Sequence, residues 1–205
     1  MFEQRNDVME YADYISLHAY FDRISSPEIL DEIYAKYDKQ ILYTEMSFAV
    51  FKGEKVLPGS WPRAEELIKI LMETLQHNVA AYVDWNLILL ETGGPSYLGS
   101  FIEAYILANE DFTVFYKQPL FYAMAHFAKF ISPHSIRISS AVINPGKSQV
   151  ITVAYLRPDN KVCVVLYNNG TNPVALTLAD DLKGITKLQL KPKSLNTLIY
   201  STRSG

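Results

Sequence analysis

The sequence predicts an α/β layer followed by an all-β module, on three observations. Strand-like and helix-like segments alternate over about the first 130 residues, the signature of strand–helix units and a parallel sheet. The strand-like segments there are continuously apolar, which fits strands covered on both faces. After Pro133 the helical periodicity stops and short strands follow one another, separated by turn residues.

"YISLHAY" (14–20) is the first strand, a short apolar run with β-branched and aromatic content. "SSPEILDEIYAKY" then places serines and Pro27 before Ile29, Leu30, Ile33, Tyr34 and Tyr37 at helical spacing. "QILYT" is the second strand. After the loop "FKGEKVLPGS", the segment "SWPRAEELIKILMETLQHN" carries Pro62 in its first turn, with Glu65 and Glu66 near the positive helix end. Ala64, Leu67, Ile68, Leu71 and Leu75 share one face, so this segment is an amphipathic helix. "VAAYVDWNLIL" (79–89) is the third strand. A Gly-Gly-Pro loop follows, and "KQPLFYAMAHFAKFI" (117–131) is a helix apolar on nearly every side, expected to be buried. The all-β part comprises "IRISSAVI", "QVITVAYL", "KVCVVLY", "VALTLA", "ITKLQL" and "LNTLIYS". Asn144-Pro145-Gly146, Pro158-Asp159-Asn160 and Asn168-Asn169-Gly170 provide the turn chemistry. The simplest arrangement is an antiparallel sandwich, with the boundary between residues 133 and 134.

Composition bounds the function. The 205 residues are 49% hydrophobic and 20% charged, with a formal net charge of -3, an ordinary globular balance with no basic excess for nucleic acid or an anionic membrane. The single cysteine, Cys163, excludes an internal disulfide and a cysteine metal cluster. The opening "MFEQRNDVMEYADY" lacks the apolar core of a signal peptide. With 14 Tyr and 10 Phe, the chain suits carbohydrate handling or simply dense aromatic packing.

In parallel α/β architectures ligands gather at the carboxyl ends of the strands. The first strand ends in His18 and Tyr20, the second in Glu45, and the third carries Asp84, Trp85 and Asn86. A sugar presents hydroxyls at its edge, which carboxylates and amides grip, and C–H groups on its face, which a ring covers. The constellation therefore suits carbohydrate chemistry. Each residue also has a plainer role: Glu45 as a strand-end acid paired with a lysine, Trp85 as core, His18 as a hydrogen-bonded structural histidine. His77, His126 and His134 have no metal-ligand spacing and read as structural. Glu91, Glu103 and Glu110 fall in loop-like sequence and are expected to be solvated. Asn169-Gly170-Thr171 is an N-glycosylation acceptor pattern, meaningful only on a secreted route. Gly93-Gly94-Pro95 is no phosphate loop, because no strand-to-helix turn with a following Lys-Ser or Lys-Thr accompanies it.

Several quoted motifs carry a family resemblance. "HAYFD" at 18–22, "YTEMS" at 43–47, "GSWPRA" at 59–64, "VDWNLIL" at 83–89, "GGP" at 93–95 and "FYKQPLFYAMAHFAKFI" at 115–131 resemble the glucosylceramidases, acid β-glucosidases of glycoside hydrolase family thirty. The resemblance runs from about residue 10 to the carboxyl terminus, with order and spacing kept. It implies that the chain holds the last three units of a (β/α)₈ barrel, strands six to eight, followed by most of a β-sandwich. It implies Glu45 as the catalytic nucleophile, Trp85 as a wall of the glucose pocket, and His18 and Tyr20 as its neighbours. It implies no cofactor or metal, a glycolipid substrate, a lysosomal or secretory route, and a membrane surface with a lysosomal activator protein as partners. Departures from the family pattern are Met46-Ser47 where alanine–cysteine is common, Ala19 where tryptophan is common, and Tyr97 and Ser100 after the Gly-Gly-Pro loop. They bear on aglycone specificity.

The family's acid/base lies in an Asn-Glu-Pro motif on strand four, and no Asn-Glu-Pro occurs in this sequence; Asn109-Glu110 is followed by Asp. A full barrel takes about 250 residues. The expectation is a carboxyl-terminal portion whose N-terminal barrel half is missing, with negligible activity alone. The alternatives are an inactive truncated homologue that binds glycans or has no role, a relative acting on another β-glucan, and a small open α/β sheet fused to a sandwich.

Overall fold

The computed structural model describes residues 10–20, 25–51, 55–97, 99 and 101–202. Phe21 and Asp22 of the first-strand motif, part of the loop before the second helix, and Ser100 lie outside the described residues. The chain divides after Leu120 into two compact units.

The first unit opens with β1 (Tyr14–His18), α1 (Glu28–Tyr37), β2 (Gln40–Glu45), α2 (Trp61–Gln76) and β3 (Val79–Tyr82). The three strands form one parallel sheet in the order β1-β2-β3. Each connection is a helix, as parallel pairing requires. Ser60 caps α2 by accepting from the Arg63 amide at 3.4 Å, and Pro62 sits in the first turn. Ala64, Leu67, Ile68 and Leu71 are buried as the helical spacing predicts, and Leu75 is half-buried. Each large apolar side chain so covered contributes about 1.5–3 kcal/mol. Glu65 and Glu66 correct one expectation: no acid occupies the first turn of α2, so neither sits at the positive end. α1 ends on Asp38 in the left-handed region (φ 48°), its amide donating to Tyr34 O at 2.9 Å. His77 receives the structural role expected of it, with Nδ1 2.7 Å from Asp31 Oδ2; Asn78 Nδ2 donates to the other oxygen of Asp31.

The sheet is covered less than its apolar runs suggest. β1 alternates exposed and half-buried positions, and in β2 only Ile41 and Tyr43 are fully buried. Among the described residues β1 pairs with β2 alone, so one edge of β1 carries no neighbour. Apolar sequence records what a strand can bury, and coverage depends on what packs against it.

The expected third strand is two strands. β3 stops at Tyr82, and the ladder resumes as β4 (Ile88–Leu90), which pairs with β5 (Ile106–Ala108) and through it with β6 (Phe115–Lys117). The break falls on Asp84, Trp85 and Asn86. The Gly-Gly-Pro loop packs closely here. Gly93 has φ 87°, and a Cβ there would lie 2.5 Å from Val56 Cγ2 and 2.7 Å from Ile102 O. Gly93→Ala is expected to cost about 2–3 kcal/mol, from the φ and the clash together. Both tryptophans, Trp61 and Trp85, belong to this unit, so urea unfolding followed by their fluorescence reads the loss; an unchanged midpoint would show that the loop yields.

α3 (Pro119–Phe130) crosses into the second unit. The expectation of all-round burial is corrected. Leu120, Ala123 and Phe127 are buried on one stripe, while Tyr122 and Lys129 are exposed. His126 Nδ1 lies 2.8 Å from Thr197 Oγ1, and burial lowers its pKa. The all-β part follows the expected strands closely: β7 (Ile136–Ile138), β8 (Val150–Leu156), β9 (Lys161–Asn168), β10 (Val174–Asp180), β11 (Gly184–Leu190) and β12 (Ser194–Ser201). One sheet has the order β12-β9-β8-β7 and the other is the β10-β11 hairpin, all antiparallel. Ala154, Val162, Val164 and Leu166 of the first sheet and Leu190 of the second form the core, with Leu176, Leu178 and Leu188 against it. Asn160 (φ 58°) makes the β8–β9 turn, as the Pro-Asp-Asn sequence predicts.

Candidate active site

Glu45 ends β2 and pairs in register with His18, which ends β1. The register slips by one residue between Leu17 and His18, which brings both strand ends level. Tyr20 donates from its hydroxyl to Glu45 Oε1 at 3.1 Å, and His18 Nδ1 lies 3.5 Å from the same oxygen. The Tyr20 ring stands edge-on to His18 at 6.1 Å and to Phe51 at 6.2 Å. The lysine partner of the plainer reading is not found among the described residues; a tyrosine and a histidine take that place. Burial, then the Glu45 hydrogen bond and the charges of Glu45 and Asp84, push the Tyr20 hydroxyl well above its ordinary range. Tyr20 therefore stays a neutral donor at any working pH.

The third strand end joins this group through the backbone. The Val83 amide donates to Tyr43 O at 2.7 Å, and the Trp85 amide to Met46 O at 3.1 Å, which lays residues 83–85 beside the end of β2. Trp85 is 44% exposed, so its ring is not core. Asp84 is engaged inward: Oδ2 accepts from Tyr105 at 2.8 Å and Tyr82 at 3.4 Å, and Oδ1 from the Trp85 amide at 2.8 Å. Burial raises its pKa to about 6 against the pull of those donors. Asn86 is half-buried just beyond. Asn169 lies in the other unit, at the end of β9. Its Oδ1 accepts from Tyr167 at 3.3 Å and Lys193 at 3.2 Å.

Glu103 corrects a further expectation. Far from solvated, it is 2% exposed. Oε1 accepts from the Leu57 amide at 2.6 Å and Oε2 from Gln118 Nε2 at 3.2 Å, while Gln118 Oε1 accepts from the Gly59 amide at 3.1 Å. The backbone of Glu103 reaches the segment after Glu45: its amide donates to Phe48 O at 3.1 Å, and its carbonyl accepts from Ser47 Oγ at 3.4 Å. The sequence signal was a lone acid inside the apolar run "FIEAYIL". Glu91 and Glu110 are exposed, as expected. Phe51, Tyr82, Tyr105 and Gln118 also belong to this neighbourhood, and no local sequence signal marks them.

A strand-end carboxylate held at one oxygen and an exposed indole on the adjoining backbone, on a parallel βα sheet followed in the chain by a β-sandwich, can grip and stack a sugar. The family model of the glycosyl hydrolase family 30 TIM-barrel domain matches residues 3–131, and that of the family 30 β-sandwich domain matches 134–198. The chain belongs to glycosyl hydrolase family 30. It is 29% identical over 197 residues to the lysosomal acid glucosylceramidase of Mus musculus, covering 95% of this chain and 38% of that one. Four Caenorhabditis elegans proteins with glucosylceramidase in their names are 30–33% identical, over 93–96% of this chain and 37–38% of theirs. The chain thus spans under two-fifths of the length of these relatives. Among solved structures, SrfJ from Salmonella typhimurium superposes with a TM-score of 0.82 at 20% identity, over 94% of this chain and 42% of that one. A family 30 endoxylanase from Clostridium papyrosolvens C71 superposes with a TM-score of 0.67 at 18% identity, over 94% and 50%. These two share the fold: a portion of a TIM barrel and a β-sandwich. No helix among the described residues is long and apolar enough to cross a membrane.

Proposed function

We propose that this chain is the nucleophile-bearing portion of a retaining β-glucosidase that hydrolyses glucosylceramide. The observation that carries the reading is Glu45 at the end of β2, with Oε1 held by Tyr20 and faced by His18. Glu45 attacks the anomeric carbon, the ceramide oxygen leaves, and water then cleaves the glycosyl ester. Trp85 covers a face of the sugar, and Asn86 faces its hydroxyls. The acid/base is a second carboxyl that a retaining enzyme needs about 5–5.5 Å from the nucleophile. The family supplies it from an Asn-Glu-Pro motif that this sequence lacks, on the N-terminal barrel half. The substrate class and a lysosomal route are supported by the names of the curated relatives. A membrane surface and an activator protein fit a lipid substrate, and Asn169 fits a secretory route as its glycan acceptor.

A second reading is a homologue that binds glycans through the exposed Trp85 without cleaving them. Capture of the natural protein through its β-sandwich, followed by its mass and its labelling by an activated 2-fluoroglucoside, separates the two. The first reading expects a species well above 23.3 kDa that carries the label on Glu45. A 23.3 kDa species that takes no label would overturn it and leave the second.

A further inference from the structure

We propose that Asp84 is a positioning residue, whose carboxylate sets Trp85 for the sugar ring through the Trp85 amide and is itself anchored by Tyr105. This rests on reading Glu45 and Trp85 as a sugar site. Both oxygens of Asp84 are committed within the protein, Oδ1 to the Trp85 amide and Oδ2 to the Tyr105 and Tyr82 hydroxyls. That leaves the carboxylate poorly placed to grip a hydroxyl itself, and well placed to act through its neighbour. Tyr105, 7% exposed, is a fixed post rather than a surface group. The ladder breaks between Tyr82 and Ile88, so Trp85 is not held by strand pairing. Its amide has two acceptors, Asp84 Oδ1 and Met46 O, and the second belongs to the residue after Glu45. Met46 O thereby joins Trp85 to the strand end that carries the nucleophile, and Asp84 Oδ1 shares the same Trp85 amide.

A charged acceptor makes this tie roughly twice as strong as a neutral one. Protonation of Asp84 weakens it. The charged and titratable groups facing Asp84 are Tyr82 and Tyr105, and its charge reaches Tyr20, which donates to Glu45. His18 faces Glu45 from β1. The tie is therefore firm above pH about 6 and slackens as pH falls through that value.

The test needs no substrate. Trp61→Phe leaves Trp85 as the single indole of the 205-residue chain. Its emission is followed from acid to neutral pH, in that background and with Asp84→Asn, Tyr105→Phe or His18→Gln added. The expected result is a red shift on acidification with a midpoint near 6. Asp84→Asn abolishes the transition, Tyr105→Phe moves its midpoint upward, and His18→Gln leaves it in place. A transition that survives Asp84→Asn, or a midpoint unmoved by Tyr105→Phe, would overturn the proposal. Far-ultraviolet circular dichroism of each variant, unchanged from the parent, shows that folding is not what is being read; should Asp84→Asn not fold, the Tyr105→Phe midpoint decides. Failure here with Glu45 still labelled by the fluoroglucoside would remove the role of Asp84 and leave the glucosidase reading standing. An Asp84-dependent transition with Glu45 unlabelled would do the reverse.

Discussion

Glu45→Gln, made in the natural protein, is expected on the proposed chemistry to lower kcat by about 10⁴–10⁶-fold. The change is nearly isosteric. The amide oxygen can still accept from Tyr20, so the strand end keeps its shape and KM moves little. What is lost is the anion that forms the bond to the anomeric carbon. Covalent labelling by the fluoroglucoside disappears with it. A variant that keeps activity within tenfold of the parent would return Glu45 to the role of a strand-end hydrogen-bond partner, and the nucleophile would have to be sought elsewhere.

Glu103→Ala is expected to produce the largest loss of stability, about 2–4 kcal/mol. Two donors lose an acceptor together: the partly buried Leu57 amide, and one N–H of the buried Gln118 Nε2, whose other N–H keeps Ala104 O. Each buried polar group left unpaired costs about 1–3 kcal/mol. Glu103→Gln separates charge from geometry. Its oxygen can still receive the Leu57 amide, but its NH₂ then points at the NH₂ of Gln118. Flipping Gln118 relieves that clash at the expense of the Gly59 amide, which donates to Gln118 Oε1. The isosteric variant therefore also loses about 1–2 kcal/mol. Urea unfolding by tryptophan fluorescence measures both. An alanine variant as stable as the parent would show that water replaces the carboxylate, and that the segment after Glu45 is held by other means.

The legible parts of the fold are those whose signals are local. α2 announces itself through Ser60, Pro62 and an apolar face, and all three are realised. The sandwich strands are legible because turn residues such as Asn160 interrupt them at each corner. β5 and β6 are three residues each and acquire their identity from pairing with β4 and each other, which no local pattern carries. The break at Asp84 hides for a similar reason. "VAAYVDWNLIL" reads as one apolar run, and its interruption is a matter of hydrogen bonds to Tyr43, Met46 and Tyr105. The strand-end rule located Glu45, His18 and Tyr20 because position along a strand is a local property. Glu103 escaped it, since its burial depends on Leu57 and Gln118, respectively 46 and 15 residues away.

The two oxygens of Glu45 are not equivalent, and on the proposed chemistry this sets the tempo of the two half-reactions. Tyr20 and His18 both address Oε1. The glycosyl bond then forms at Oε2, and Oε1 becomes the carbonyl oxygen of the ester. A hydrogen bond to Oε1 stabilises the free carboxylate more than the ester, because the ester has lost the charge. Tyr20 therefore slows the attack slightly and assists the hydrolysis, where the carboxylate departs as the leaving group. The tyrosine trades nucleophilicity in the first step for release of the sugar in the second, and so limits how long the covalent adduct persists.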